Sequence, residues 1–508
     1  MPVKDAGGKA IFEKDAQAAR WIEHFTSLLN RPPPTNPPEI LEARRDLPID
    51  CDTPSHREIA DAIKQLNQGK AAGPDLIPPE ALKADVDTTA TFLCPLFAKV
   101  WTSGKHSIDW KEGHLVKIPK KGDLSRCENY RGITLLSIPG KVFNRVLNRI
   151  KAATDPKLRD EQAGFRSNRS TTDQIATLRI IVEQSLEWNS PLIVNFLDYE
   201  KAFDSIDREL PWKIMRNYGI PEKIWTLWTQ LEDLGFADDL ALLSHSQTQM
   251  QAKTTALNKL SESIGLRIDP AKSKVLRVGT QTSEAVMIGD QPLEDVDAFC
   301  YLGSNIDQEG GTSKEIKARI GKAQAAFTTL GRFWKTRDIS LKTKLRIFNS
   351  NVKSVLLYGC EAWNASTMCI KSIQVFFNRC LRRILRIKWT DKISNESLWE
   401  RTGQIPAGDE IGRRRWRWIG HTLRNPCGSI TKNVLDWNPQ GKRSRGRPRG
   451  TWKRVRDNDL KTVDIHGTML SGWPRIERDG GALLMAYTLL QGEKGKEEKD
   501  SKKWKHLL

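Results

Sequence analysis

Phe236-Ala237-Asp238-Asp239 sets two adjacent carboxylates between apolar flanks, Leu234 before and Leu240-Ala241-Leu242-Leu243 after. The pattern predicts two short strands meeting at an acidic turn. About forty residues upstream, the apolar run Leu192-Ile193-Val194-Asn195-Phe196-Leu197 predicts another strand, which delivers Asp198 at its end. Carboxylates gathered on strand ends can hold a divalent metal. Magnesium takes oxygen ligands and keeps part of its water shell for phosphates, so such a cluster suits in-line nucleotidyl transfer. Alone, an Asp-Asp pair carries little weight, because acidic pairs are common in ordinary turns.

The elements that must position these carboxylates belong to a long, basic chain. Its 508 residues can bury substantial cores, and length favours two to four domains. Lys plus Arg number 81 against 62 Asp plus Glu, a net charge of +19, which favours a polyanionic partner. The excess is local: residues 401–456 hold fifteen basic and three acidic residues. The eight cysteines are scattered, with no C-x-x-C or Cys/His zinc spacing, and suggest a reducing compartment. The N-terminus lacks the apolar core of a signal peptide, and no stretch approaches 18 uninterrupted apolar residues. A soluble, intracellular chain is expected, in nucleus or cytoplasm, with the nucleus slightly favoured.

Residues 9–30 carry Phe12, Ala16, Ala19, Ile22, Phe25, Leu28 and Leu29 at helical spacing, then break at a proline-dense spacer, Arg31 to Pro38. Helix resumes with Ser55 as N-cap and Glu58 three residues on, then Ile59, Ile63 and Leu66, and ends by Gly69-Lys70-Ala71-Ala72-Gly73. Ile316, Ile320, Ala323, Phe327, Leu330 and Phe333 predict a packed helix with Lys317, Arg319 and Lys322 on its exterior. A second helical stretch holds Leu345, Phe348, Val352, Val355 and Leu356. The charged end from Gly492 to Lys505 predicts disorder.

Further segments keep a fixed order around the acidic pair. They are Leu115-Val116-Lys117-Ile118-Pro119-Lys120-Lys121-Gly122-Asp123, Asn129-Tyr130-Arg131-Gly132-Ile133-Thr134, Ala163-Gly164-Phe165-Arg166-Ser167, Phe196 to Asp204, Gly265 to Lys272, and Phe299-Cys300-Tyr301-Leu302-Gly303. The series resembles the reverse transcriptases of non-LTR (LINE-like) retrotransposons over residues 15 to 455. The resemblance implies an α+β right-hand polymerase of fingers, palm with antiparallel sheet and helical thumb. It divides the chain into an N-terminal helix and Pro-rich linker (1–50), fingers (51–190), a shortened palm (191–280), primer grip and thumb (281–400), a basic nucleic-acid-binding region (401–460) and a disordered tail (461–508).

Roles carry over where residues match. Asp198 and Asp238 correspond to the metal-holding pair for two Mg²⁺ ions, with Asp239 the less directly engaged neighbour. Phe203 matches the bulky side chain that excludes a ribose 2′-hydroxyl; an ordinary core aromatic is the alternative. Lys120 and Arg131 match residues that grip the incoming triphosphate, and Lys272 a lysine near the leaving pyrophosphate; plain solvated charge is the alternative for each. Tyr301-Leu302-Gly303 matches the primer grip, a tight turn that presents backbone to the primer strand. The implied partners are an RNA template, a DNA primer or target end, and dNTPs, with no membrane; oligomeric state is left open.

The pattern also departs from the family. A Gln-Gly motif that supports nucleotide and template is missing between the first aspartate and the acidic hairpin, where 39 residues separate Asp198 from Asp238. Residues 209–233 offer two short helices instead. The chain starts almost at the polymerase's leading helix with no endonuclease ahead, and beyond Lys461 it no longer resembles the family tail. Two functions therefore stand: an impaired RNA-directed DNA polymerase, or a non-catalytic nucleic-acid-binding remnant of a mobile element.

In the basic region, Arg413-Arg414-Arg415-Trp416-Arg417-Trp418 interleaves arginine with tryptophan, which suits phosphate contact plus base stacking. Lys442-Arg443-Ser444-Arg445-Gly446-Arg447-Pro448-Arg449 has a core resembling an AT-hook, which lies in a narrow A·T-rich minor groove. A nuclear-import signal and a basic linker are the rival readings.

Overall fold

The computed structural model describes residues 2–207, 209–229, 239–280, 284–426, 428–443 and 449–462, a mixture of helices and small sheets that is α+β. The expected disorder beyond 462 and the residues Asp238, Arg445 and Arg447 lie outside the described residues. Two units divide the chain: one takes residues 1–159, 199–238 and 256–269, the other residues 160–198, 239–255 and 270–508.

The first unit is built on helices. Ser55 and Glu58 form a reciprocal capping box at the start of His56–Lys64, the end that the sequence marks. Ile59 and Ile63 from this helix are fully buried against Phe97 and Trp101 of Val86–Ser103 and Phe143 of Ile138–Val146. Phe97 and Phe143 meet edge-on at 5.1 Å. Glu58 also takes two bonds from Arg149, at 2.7 and 2.6 Å, which ties the capping box to Arg149–Thr154. A long hairpin pairs the exposed strand Gly113–Pro119 with the mostly half-buried strand Tyr130–Leu136, whose Tyr130 meets Trp21 edge-on at 4.9 Å. The predicted first helix spans Lys14–Leu29, but Phe12 and Ile22 are exposed. Phe12 falls before its first turn, and the buried face runs through Arg20, His24, Phe25 and Leu28 instead. Residues 209–229 form the two short helices expected there, Leu210–Tyr218 and Glu222–Thr229.

The second unit holds a four-stranded sheet in the order Glu294–Val296, Lys274–Val278, Leu192–Leu197, Leu240–Ser244. Leu192–Leu197 is antiparallel to both of its neighbours and buried at every position. Leu192, Val194 and Phe196 pack with Leu178 and Val182 of Thr171–Glu187 and with Tyr301 and Ile306. On the alternate positions, buried Asn195 donates to Thr254 Oγ1 at 3.0 Å. Burial on both faces explains apolar residues at five of the six positions in place of strict alternation.

A helical core follows, in which Phe327 stacks on Trp334 at 5.0 Å beside Phe348 and Phe377. The stretch holding Leu345 to Leu356 is helical with a π-helical turn over Phe348–Lys353, and Phe348, Val352 and Leu356 are buried. Arg319, expected on the exterior of Ser313–Thr329, is instead buried and pairs with Glu315 at 2.6 Å. The reason is the i,i+4 spacing: once Glu315 turns inward, the cation one turn later follows it. Among the described residues no helix is long and apolar enough to cross a membrane.

Two carboxylates make stability pH-dependent in opposite directions. Arg149's hydrogen bonds hold Glu58 down at about 2, from an ordinary 4.5, against the opposing effect of burial. Its depressed value means its contribution is complete above pH 4.5 and is lost as pH falls from there toward 2. Arg149→Ala should flatten that acid limb in pH-dependent melts and cost about 1–2 kcal/mol at neutral pH. Glu183, wholly buried on Thr171–Glu187, accepts Trp452 N–H at 2.5 Å while its other oxygen has no donor among the described residues. Burial pushes it up to about 8. Stability should therefore decline as pH rises from 4.5 through 8. Glu183→Gln, which mimics the protonated acid, should remove this decline and melt higher than the parent chain at pH 8.

Candidate active site

The sheet's register decides which charged groups meet. Leu192–Leu197 pairs with Leu240–Ser244 so that Leu197 faces Leu240, and Asp198 and Asp239 are the residues that flank this last pair. On its other side Phe196 faces Lys274, and two further steps set Asp198 opposite Lys272. The ammonium of Lys272 stands 3.5 Å from the Asp198 carboxylate, whose side chain is 34% exposed. Asp198 N–H donates to the buried Ser273 hydroxyl at 3.2 Å, which fixes the backbone where the strand ends. Asp198 is thus the middle member of three charged strand ends.

Asp198 and Asp239 bring like charges to one end of the sheet, and like charges repel unless a cation joins them. Lys272 supplies one positive charge from an exposed side chain. The field of Asp239 reaches the hairpin beyond: burial first, and Asp239 second, push Tyr301 up to about 12. Hard carboxylate oxygens on an open, partly solvated edge fit a magnesium ion better than a soft-metal site would. Asp238, the other member of the metal pair expected from the sequence, is outside the described residues. Among those described, no three His, Cys, Asp or Glu side chains gather as a metal-binding group.

The nucleotide-binding candidates belong to the first unit or to this edge. Ile118 faces Arg131 across the Gly113–Pro119 hairpin, and Lys120 N–H bonds to the Asn129 carbonyl at 2.7 Å. Side chains two residues apart share a face, so the register brings Lys120 and Arg131 to one face near the hairpin's turn. Phe203 lies on the short helix Ala202–Ser205. Lys272 joins Asp198 as described.

Tyr301-Leu302-Gly303 is a tight turn, between Ala298–Tyr301 and Ser304–Asp307. Leu302 and Gly303 both take positive φ, 46° and 79°, as a two-residue hairpin with a mirror-image turn requires. A leucine there is strained, and buried groups hold it. Tyr358 Oη donates to the Leu302 carbonyl at 2.8 Å, and Arg319, whose guanidinium lies 4.4 Å from the Tyr358 ring, donates to the Gly303 carbonyl. Arg179 donates to Ser304 Oγ at 3.1 Å, and Glu315 accepts Asn305 N–H at 2.8 Å. Both turn carbonyls are therefore engaged from within the protein. Arg179, Glu315, Arg319 and Tyr358 were missed as supports of the turn; the Glu315/Arg319 spacing was the available signal.

The basic candidates separate by face. Ala407–Leu423 carries Arg413 to Arg417, and its buried side includes Ile411, Arg415, Trp418, Ile419 and Thr422. Arg415 is turned inward and pairs with Asp459 at 2.7 Å. Arg414 bonds Glu410 at 3.1 Å, Arg413 is half-buried, and Arg417 is exposed, as is Arg449. The base-stacking role read for Trp416 and Trp418 gives way to packing. Both rings are buried, and Trp418 donates to Asp173 at 2.8 Å and meets Trp452 edge-on. The 3.6-residue period aligns these rings with the core, which the alternation of letters does not reveal.

This mixture of helices and sheets fits an α+β fold of the reverse-transcriptase kind. Residues 118–234 match the reverse transcriptase (RNA-dependent DNA polymerase) family, and residues 326–358 match a domain of unknown function. A transposon-derived protein of Caenorhabditis elegans is 29% identical over 260 residues, 49% of this chain and 92% of that protein. Two Drosophila melanogaster proteins, each described as "Probable RNA-directed DNA polymerase", from transposon BS and from transposon X-element, are 23% and 25% identical over 76% and 73% of this chain. The chain spans about half the length of these two, 51% and 48%. It carries a reverse-transcriptase domain of the LINE-like, non-LTR transposon kind.

The Lys272–Asp198 pair is exposed, so its removal should barely touch stability. Lys272→Ala is expected to shift unfolding by less than about 0.5 kcal/mol, checked by denaturant titration. A larger shift would show that the pair is structural.

Proposed function

We propose that the chain is an RNA-directed DNA polymerase whose catalysis is weakened by a shortened palm. The single observation that carries this reading is the register that places Asp198 between Asp239 and Lys272. In this reading the Leu192–Leu197 sheet is the palm, the helices and hairpin within residues 51–190 supply the fingers, and the Ser313–Thr329 and Thr367–Leu385 helices belong to the thumb. The Tyr301–Gly303 turn is the primer grip.

Asp198 and Asp238 would hold two Mg²⁺ ions, with Asp239 beside them. The chemistry such ions supply is a lowered pKa for the primer 3′-hydroxyl and neutralisation of the leaving pyrophosphate. Lys120 and Arg131 would bind the triphosphate as cationic donors, and Phe203 would exclude a ribose 2′-hydroxyl. Lys272 restrains the Asp198 carboxylate in the free chain and is placed to neutralise a departing phosphate. Substrates in this reading are dNTPs, an RNA template and a DNA primer end.

A second reading, a nucleic-acid-binding remnant without turnover, is favoured by one observation. The 39 residues from Asp198 to Asp238 contain the helices Leu210–Tyr218 and Glu222–Thr229 and no Gln-Gly pair. Positioning contributes roughly 7–11 kcal/mol of barrier lowering in well-oriented reactions, so losing one wall of a nucleotide pocket can silence an intact metal site. Primer extension on an RNA template with Mg²⁺ tests both. Weak synthesis that Asp198→Ala abolishes is expected. Robust synthesis abolished by the same change would refute the impairment, and synthesis indifferent to it would refute the site.

A further inference from the structure

The first unit contains a cleft of about 440 Å³ whose charged lining is entirely basic: Lys70, Lys141, Arg145 and Lys151. None of the four has a carboxylate within ion-pair distance among the described residues. Burial already draws the pKa of Lys141 down, with Asp75 acting against it. Asn144 and Asn148 sit between the cations, and Asn144 Oδ1 is buried without a hydrogen-bond partner among the described residues. Arg145 donates to Gln65 at 3.3 Å, but four positive charges without an ion-pair partner among the described residues still repel one another across one concavity, and an anion would relieve them.

The cleft is held in shape by its own loop. Gly69 N–H donates to Glu80 at 2.5 Å, which occupies a nearby carboxylate. Lys83 donates to the Lys64 and Leu66 carbonyls at 2.9 and 2.8 Å, capping the His56–Lys64 helix. Gly73 lies so close to the start of Ile138–Val146 that a Cβ would stand 2.4 Å from the Leu136 carbonyl carbon. The loop bearing Lys70 is thereby fixed beside the helix bearing Lys141 and Arg145.

We propose that this cleft binds the phosphodiester backbone of a single-stranded nucleic acid, through residues other than Asp198, Asp239, Lys120 and Arg131. Lys141, Asn144, Arg145, Asn148 and Lys151 recur at three and four residues, which draws one stripe along the Ile138–Val146 and Arg149–Thr154 segments. At about 1.5 Å per residue the stripe is on the order of 15 Å long. With roughly 3.4 Å of axis per phosphate in a stacked strand, that is several phosphates, more than one nucleotide or one pyrophosphate offers. The asparagine amides between the cations can meet sugar hydroxyls or base edges without discriminating sequence strongly.

This inference rests on the reading of the chain as a nucleic-acid-handling protein, and the test separates the two. Full-length chain is titrated with a fluorescent 20-nucleotide single-stranded RNA at several salt concentrations. Lys70→Gln/Lys141→Gln/Arg145→Gln should weaken binding at least about tenfold and reduce the slope of log K against log salt by about 2, at about 0.7 per cation removed. Lys14→Gln/Lys99→Gln/Lys111→Gln, which removes the same charge from exposed positions outside the cleft, should leave the slope within about 0.7 of the parent. If melts show that the first variant is misfolded, Lys70→Gln/Lys151→Gln changes only exposed side chains and should lower the slope by about 1.4. Equal losses from the cleft and control variants would overturn the inference, as would inorganic tripolyphosphate competing as well as RNA at equal phosphate. Absence of any RNA binding by the parent would overturn the nucleic-acid reading itself.

Discussion

Two-sided burial of one strand is the constraint on which the rest depends. Leu192–Leu197 is covered on both faces and paired on both edges, so it cannot slip by one residue without turning Asn195 out of its bond to Thr254 and moving Phe196 off Phe299. Pinned register at the centre propagates to both neighbours. It is why Asp198, Asp239 and Lys272, which are far apart in the chain, leave the sheet side by side.

The molecule treats charge in two ways. Around the sheet edge, charges are left open: Asp198 is partly exposed and its ammonium partner more so. Around the Tyr301–Gly303 turn, charges are buried and saturated, with Glu315 and Arg319 almost wholly enclosed. Removing water from an ion pair is costly unless the geometry is good and the spare hydrogen-bonding capacity is met. Here Arg319 meets Glu315, a carbonyl and an aromatic face together, and the return is a leucine held at positive φ. An open edge suits exchange of ligands, and a saturated turn suits rigidity.

Much of this arrangement was legible in the letters because it depends on local chemistry. The Ser55/Glu58 capping box follows from four consecutive residues, and the 192–197 strand from a mostly apolar run, broken only by Asn195, that ends at an aspartate. The two helices within 209–229 follow from short apolar periods. Where sequence reasoning failed, neighbours in space overrode neighbours in chain. Arginine and tryptophan alternating in a basic segment suggest an outward surface, yet Arg415 and both tryptophans face the core because the helix turns them there. Arg319 reads as solvated charge until Glu315 and the turn carbonyls surround it.

Composition, order and spacing by themselves determined the kind of chemistry on offer: a basic chain with acidic strand ends, cationic loops and a reverse-transcriptase motif order. Those properties reside in residue types and short-range periodicity, which survive without a fold. Tertiary structure alone decided which charges meet and which are consumed. Strand register set Asp198 between Asp239 and Lys272, helix phase withdrew Arg415 and Arg319 from the surface, and loop anchoring gathered four cations around one cleft. Each of these is a long-range relation between side-chain directions, and direction is a property of packing rather than of sequence.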